Sequence, residues 1–437
     1  MAIYTKEEAR KIMEKALSFS KSDACEISLG GSESGNIRYA RNTVTTSGSS
    51  SNQSLAVTAS FGKRSGSATI DEFDDASLEK VVRRAEELAK LSPENPEFMT
   101  PLGSQVYDEA ISYVEATANI TPEYRAQVAA SSIKPAALKD VTAAGFLNDS
   151  TGFRSILNSK GLFAYNMFTN VDFTVTMRTN DGTGSGWVTR DYNDIRKFDA
   201  NEASKIAIDK AVMSREARAL EPGKYTVILE PAAAADLIGN MRGAFNARTA
   251  DEGRSFMSKE GGTKLGQKIV DERVNIYSDP LHPEVPTATW NGEGMPLKKK
   301  AWIENGVVKN LAYDRYWAER QGVEPTPFPP NFIMEGGDAT LDELIKGTKR
   351  GILVTRLWYI RGVDPQTLLY TGLTRDGTFY IENGQIRYPV KNFRFNESPI
   401  IMLNNLEELG QQVRIGNSLI PYMKIRDFTF TSLSDAV

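Results

Sequence analysis

Most hydrolytic chemistry draws on few side-chain types, and this chain is almost empty of two of them. Its 437 residues include one histidine, His282, and one cysteine, Cys25. Zinc in a hydrolytic site is held by imidazole nitrogen or thiolate sulfur, helped by carboxylate, with one position left open for water. Two such donors far apart in the chain do not make a histidine-rich or cysteine-rich shell. Serine–histidine and cysteine–histidine nucleophile pairs must likewise use His282 or go without. His282 lies in the proline-bracketed run Ser278-Asp279-Pro280-Leu281-His282-Pro283. A general base needs a nucleophile within reach and an orienting carboxylate, and the sequence sets neither beside it, so it reads as a loop histidine. Cys25 opens an apolar alternation with Ile27 and Leu29 and reads as a buried structural thiol. Carboxylates are plentiful, but they suit magnesium, calcium or manganese better than zinc, and their spacing marks no site.

The remaining candidate chemistry is polar rather than catalytic. Arg248, Asp251, Glu252 and Arg254 follow one another closely, with Arg242 upstream. Guanidinium groups donate in forks that carboxylates accept, so an ion-pair network holding a helix end is the simplest expectation. The glycine-rich runs GGSESG and DGTGSG lack the strand-to-helix spacing of a nucleotide site, and no nucleotide cofactor is expected. A net charge of −4 offers no field for phosphate backbones, so no nucleic-acid partner is expected. Lys298-Lys299-Lys300 reads as a solvated strand edge. Pro325 to Phe332 reads as a structured loop rather than a polyproline ligand.

Elements that would position these residues follow from periodicity. Thr5 and Glu8 have capping-box spacing ahead of an apolar stripe, Ala9, Ile12, Met13, Ala16 and Leu17, which predicts an N-terminal helix. Alternation at Ile27 and Leu29, at Ile37 and Tyr39, and at Leu55, Val57 and Ala59 predicts antiparallel strands. The serine-rich stretch 47–54 is expected to be a small-residue strand or turn. Leu78, Val81, Val82, Ala85, Leu88 and Ala89 predict a helix stopped by Pro93 and Pro96. Residues 105–140 carry helical spacing broken at Pro122 and Pro135, strands resume from Asp149, and a helix from about Asn201 to Ala219 would be capped by Asn201. Pro222-Gly223 marks a boundary, which gives two domains, 1–222 and 223–437. The second opens with the strand YTVILE and a helix from Pro231, then becomes β-rich. AWIENGVVKNLAY and FYIENGQIRYPV each place Asn-Gly between runs with apolar and aromatic residues, the mark of a tight hairpin. The fold class expected is α+β: a helix-plus-antiparallel-sheet domain followed by a β-rich one. No run approaches the roughly 18 apolar residues of a membrane helix, and MAIYTKEEARKIMEKALSF has no signal-peptide core. A cytoplasmic protein without a membrane partner is expected.

The order of several segments resembles a known family. Gly253-Arg254-Ser255, IENGVVKNLAYDRYWAERQGV, GGDATLDELIKGTKRGILV, GVDPQTLLYTG and FYIENGQIRYPVKNFRF are similar in series to the C-terminal domain of the TldD/PmbA family. The stretch from the capped helix to EKVVRRAEELAKL is similar to its N-terminal domain. The resemblance implies a cytoplasmic peptidase relative, also named for modulation of DNA gyrase and maturation of a peptide antibiotic. In that family one member carries HExxxH on a helix early in the C-terminal domain and a cysteine further on. It pairs with a subunit lacking the motif, around a channel that admits unfolded peptides. Here the corresponding helix, Ala235 to Asn246, contains neither histidine nor glutamate. Anchored on Gly253-Arg254-Ser255, the family histidines fall near Ile238 and Gly243, and QQVRIGNSLIP has no cysteine. The expectation is therefore a metal-free subunit, with no zinc or other cofactor, that joins a metal-bearing TldD-type partner and contacts unfolded peptide. Asn240, Arg242, Asn246, Arg248, Asp251, Glu252 and Arg254 are its candidate channel residues. The alternatives are a homodimeric peptide-binding protein and a peptidase with an unrecognised carboxylate-bound metal or serine–lysine site.

Overall fold

The computed structural model describes residues 3–434. Its first half is built on one antiparallel sheet. Thr5 accepts from the Glu8 N–H at 3.3 Å and donates its own N–H to the Glu8 carboxylate at 2.8 Å, so the capping box starts α1 (Lys6–Ser18). There follow β1 (Ala24–Ala40), β2 (Thr43–Phe61), β3 (Arg64–Ile70), α2 (Asp75–Leu91), α3 (Glu115–Ala118), α4 (Pro122–Leu138), β4 (Val141–Asn158), β5 (Phe163–Thr179), β6 (Ser185–Tyr192) and α5 (Ala200–Met213). The sheet order is β3-β2-β1-β4-β5-β6. Because side chains alternate across a pleat, one face collects Ile27, Leu29, Leu55, Val57 and Ala59 beneath α1 and α2. The same face collects Ile37, Tyr39, Leu147, Val171 and Phe173 beneath α4 and α5. The other face is polar and looks toward the second half of the chain.

Several expectations change. Residues 105–114 are not helical; the extended chain is tied sideways, with the Thr169 N–H donating to Ser112 O at 2.9 Å and Thr289 Oγ1 to Asp108 O at 2.6 Å. Pro122 does not break a helix but begins α4, where its missing N–H has no intrahelical acceptor to lose. Pro135 is carried near the C-terminal end of the same helix. The α5 cap is Asp199 rather than Asn201, because the Asp199 carboxylate accepts from the Asn201 and Glu202 N–H groups at 2.8 and 3.0 Å. The strand expected from Asp149 already begins at Val141, and residues 47–54 are part of β2.

The second half begins with β7 (Lys224–Leu229) and α6 (Pro231–Met241), then α7 (Ala247–Asp251), β8 (Ser258–Lys259), β9 (Gly262–Thr263), β10 (Ile276–Ser278), β11 (Lys300–Glu304), β12 (Val307–Val308), α8 (Arg315–Gln321), β13 (Phe332–Met334) and α9 (Leu341–Lys346). It ends with β14 (Arg350–Asp364), β15 (Leu369–Glu382), β16 (Gln385–Pro389), β17 (Phe393–Glu397), α10 (Pro399–Asn404), β18 (Leu406–Ile415) and β19 (Ser418–Leu433). β7 pairs with both β14 and β19, which closes β7-β14-β15-β17-β19 into a barrel. Both faces of these strands are buried: Val227 and Leu229 pack with Ile352 and Val354, while Ile228 and Leu353 pack with Phe379 under α9. The two Asn-Gly pairs form the β11–β12 and β15–β16 hairpins, and all four residues have positive φ (51° and 76°, 51° and 74°), as a type I′ turn requires.

Candidate functional site

α6 starts at Pro231 and buries Ala233, Ala234, Leu237, Ile238 and Met241 against the barrel. Its opposite face carries Ala232, Asp236 and Asn240 at four-residue spacing, and these line a cleft of about 440 Å³. The facing wall comes from Trp187 on β6, from Arg356, Trp358 and Tyr359 on β14, and from Ile415 at the end of β18. Arg356 is held between two indoles, 4.2 Å from the Trp187 ring centre and 4.8 Å from that of Trp358. Its Nη1 donates to Asp376 Oδ2 at 2.9 Å, and the buried Asp376 also accepts from Ser185 Oγ at 2.5 Å. The β14–β15 register shifts on either side of this segment, and Tyr359 adopts φ 55°. Bulges of this kind re-aim side chains, and here they set Trp358 and Tyr359 at the mouth of the cleft.

Asp236 opens to the cleft yet is crowded by its walls. Desolvation pushes its pKa up to about 6, with Arg356 opposing the shift. Its carboxylate has no hydrogen-bond or ion-pair partner among the described residues. Asn240 Nδ2 donates to Asp236 O at 2.7 Å, and Tyr370 Oη donates to Asn240 O at 3.3 Å. The arrangement can bind: it offers one acid, one carboxamide and one guanidinium between aromatic walls. It does not present a nucleophile with an adjacent base.

The helix and the C-terminal stretch to which the resemblance assigns metal ligands both border this cleft, but Ile238 and Gly243 themselves do not line it. The helix contributes Asp236 and Asn240, with Ile238 turned into the core and Gly243 without a side chain; the C-terminal stretch contributes Ile415. One carboxylate with amide and aliphatic neighbours does not fit zinc, which wants several nitrogen, sulfur or carboxylate donors. Among the described residues no group of three or more His, Cys, Asp or Glu side chains is placed to hold a metal ion.

Of the seven residues selected from sequence, Asn240 alone lines this cleft. Arg242 donates to Pro329 O and lies 5.5 Å over the Phe328 ring, inside the Pro325–Phe332 loop, where burial lowers its pKa. Asn246 caps α7 by accepting from the Thr249 N–H at 2.9 Å. Arg248 grips the Glu97 carboxylate with both Nη atoms, at 2.9 and 2.8 Å, and reaches Glu252 at 3.0 Å. Arg254 also pairs with Glu252, and Asp251 accepts from Trp317 Nε1 at 2.7 Å. This cluster ties a short helix to the first half of the chain. His282 accepts from the Glu284 N–H at 3.3 Å in its loop, and burial lowers its pKa. Cys25 is buried beneath α1, which pushes its thiol up to about 11. Trp187, Arg356 and Trp358 escaped the sequence reading; the dense Arg-Leu-Trp-Tyr-Ile-Arg run at 356–361 is the signal that could have found the latter two.

Three family models match in order: PmbA/TldA metallopeptidase domain 1 over residues 25–89, the central domain over 100–215, and the C-terminal domain over 222–432. The chain belongs to the PmbA/TldD family. It is 26% identical over 294 residues to a metalloprotease of Methanothermobacter thermautotrophicus, covering 61% of this chain and 62% of that one. Metalloprotease PmbA of Escherichia coli O157:H7 is 23% identical over 452 residues, covering 96% and 97%. Among solved structures, TldE from Thermococcus kodakarensis superposes with a TM-score of 0.87 at 20% identity, covering 96% of this chain and all of that one. A Thermotoga maritima protein described as a DNA gyrase modulator gives 0.87 at 18% identity, covering 97% of this chain. At these identities the structural likeness speaks for the fold.

Proposed function

We propose that this chain is a metal-free member of a PmbA/TldD-type peptidase assembly, which binds unfolded peptide and presents it to a metal-bearing relative. The observation that carries the reading is the convergence of the α6 face and the β18 end on one cleft that offers Asp236, Asn240 and Ile415. A cleft between aromatic walls that offers one carboxylate and no zinc-donor set suits binding better than bond cleavage. Aromatic walls and a clamped guanidinium suit an extended peptide, whose main-chain carbonyls accept from Arg356 and Asn240 and whose side chains pack on Trp358. We further place the protein in the cytoplasm; its lone buried thiol fits a reducing compartment, and no helix among the described residues is long and apolar enough to cross a membrane.

The test is reconstitution. The chain alone, with zinc supplied, should cleave no unfolded peptide. Mixed with a family member bearing HExxxH, it should form a stoichiometric complex by size exclusion with light scattering and raise that member's cleavage rate. Cleavage by this chain alone, or the absence of both association and rate gain, would sink the proposal. Self-association with peptide binding and no effect on a relative would favour a homodimeric binding protein instead.

A further inference from the structure

The polar face of the first sheet carries a second hollow, of about 520 Å³, roofed by Pro286, Thr287 and Ala288 and by the β18–β19 turn at Gly416 and Asn417. Its two ends are chemically opposite. At one end Arg154 projects from β4, 5.1 Å over the Trp290 ring. It has no hydrogen bond or ion pair among the described residues; the residue is exposed at the rim of the hollow, and the walls around it lower its pKa by desolvation. At the other end Asp191 lies on β6, its carboxylate accepting from the Gly416 N–H at 3.1 Å. The floor between them is Asn166, Phe168 and Asn170 on one face of β5, with Asn166 in register with Arg154 and Asp172 in register with Asp191. Gly152 leaves room here for the Phe168 ring, from which a Cβ at that position would stand 2.5 Å.

Register fixes the lengths. Asn166 to Asp172 is six residues of strand, about 20 Å at roughly 3.3 Å per residue. Asp191 and Trp187 share the outward face of β6 and are separated by a further four residues, about 13 Å. Trp187 already lines the α6 cleft, and Ile415, Gly416 and Asn417 run consecutively from that cleft into the hollow. The hollow and the cleft adjoin where the Asp191 carboxylate takes the Gly416 N–H, and a path along the strands through both would measure about 33 Å, the reach of roughly ten extended residues.

We propose that Arg154 is a carboxylate anchor at the far end of this path, taking the C-terminal carboxylate or an acidic side chain of an extended peptide whose remainder runs along β5 toward the α6 cleft. The inference rests on the peptide-binding reading above and adds polarity to it. An unpaired guanidinium over an indole is preorganised for one charge-assisted, forked contact, and the Asn-rich floor supplies donors and acceptors for a peptide main chain.

The experiment measures binding of this chain to three labelled peptides of about ten residues with the same neutral, unfolded sequence. One has a free C-terminal carboxylate, one a C-terminal amide, and one an amide with a glutamate near that end. The acid, the glutamate peptide or both should bind roughly tenfold more tightly than the neutral amide, the gain of one charge-assisted contact. Whichever does so identifies the source of the carboxylate. Arg154→Gln should erase that preference without lowering the melting temperature, and Arg154→Lys should retain part of it. Equal affinities in the parent chain, or a preference that survives Arg154→Gln, overturn the anchor alone. Failure to bind any of the three overturns the anchor and the peptide-binding reading together.

Discussion

At the scale of single residues, two acids carry opposite lessons. Asp172 faces Asp191 across β5 and β6; burial first, then the Asp191 carboxylate, push Asp172 from its ordinary 3.8 up to about 6. Asp191 is raised by burial as well, against the Gly416 N–H and Arg414, which favour its charged form. A raised acid binds its proton more tightly folded than unfolded. Its contribution is greatest below 3.8 and is lost as pH rises through about 6. Asp172→Asn should therefore raise the melting temperature at about pH 7.5 and leave it nearly unchanged at about pH 3.5; a rise of equal size at both would refute the assignment. Asp149 is the contrary case, gripped by Arg125 through Nε at 2.6 Å and Nη2 at 2.8 Å with both groups buried. Arg125→Met strands that carboxylate and should cost about 3–5 kcal/mol, read from the urea midpoint. A sequence shows the acids but not their neighbours, and neither pair was legible in it.

At the scale of elements, helices sit directly on strands where the strand offers glycine. A Cβ at Gly186 in β6 would meet the α5 backbone, 2.2 Å from Ala207 O and 2.6 Å from Ala211 N; one at Gly66 in β3 would meet α2 at 2.2 Å from Ala89 N. Backbone cannot step aside as a long side chain can. Gly186→Ala and Gly66→Ala should each cost about 1–3 kcal/mol or more, measured as loss of the denaturation midpoint. Retained stability would mean that the helix shifts freely. The caps were partly legible: Thr5 with Glu8 announced α1 correctly, whereas the α5 start went to Asn201 because two residues only two positions apart, Asp199 and Asn201, can both cap. Only the acceptor geometry at Asp199 separates them.

At the scale of the whole molecule, the two sheets are joined by buried polar contacts rather than by a loose linker. Lys210 Nζ meets the Glu230 carboxylate at 2.7 Å with both side chains largely buried, and Arg414 Nη1 donates to Asn193 Oδ1 at 2.5 Å. Asp376 receives Ser185 across the same boundary. Calorimetry should show one unfolding transition for the intact chain. Lys210→Met combined with Arg414→Met should split it into two, since each change leaves a partner unsatisfied in a desolvated seam. Two transitions in the parent chain would mean that the seam contributes little. The proposed peptide path would run beside this seam, where Trp187 and Asp191 come from the first sheet and Arg356 and Ile415 from the second.

The sequence by itself determined the local matters: period-two burial in the strands, the N-terminal cap, both Asn-Gly hairpins, and a second-half helix without histidine or glutamate. These depend on residues near one another in the chain, so spacing and side-chain type suffice to read them. Only the tertiary structure decided that β19 returns to pair with β7 and close a barrel. It alone drew Ile415 and Asp236 to one cleft, and it committed Arg248, Asp251, Glu252 and Arg254 to holding a helix end while leaving Arg154 free beside Trp290. Those outcomes turn on pairings between distant segments, where many partners satisfy the same local pattern and the choice among them is made by packing.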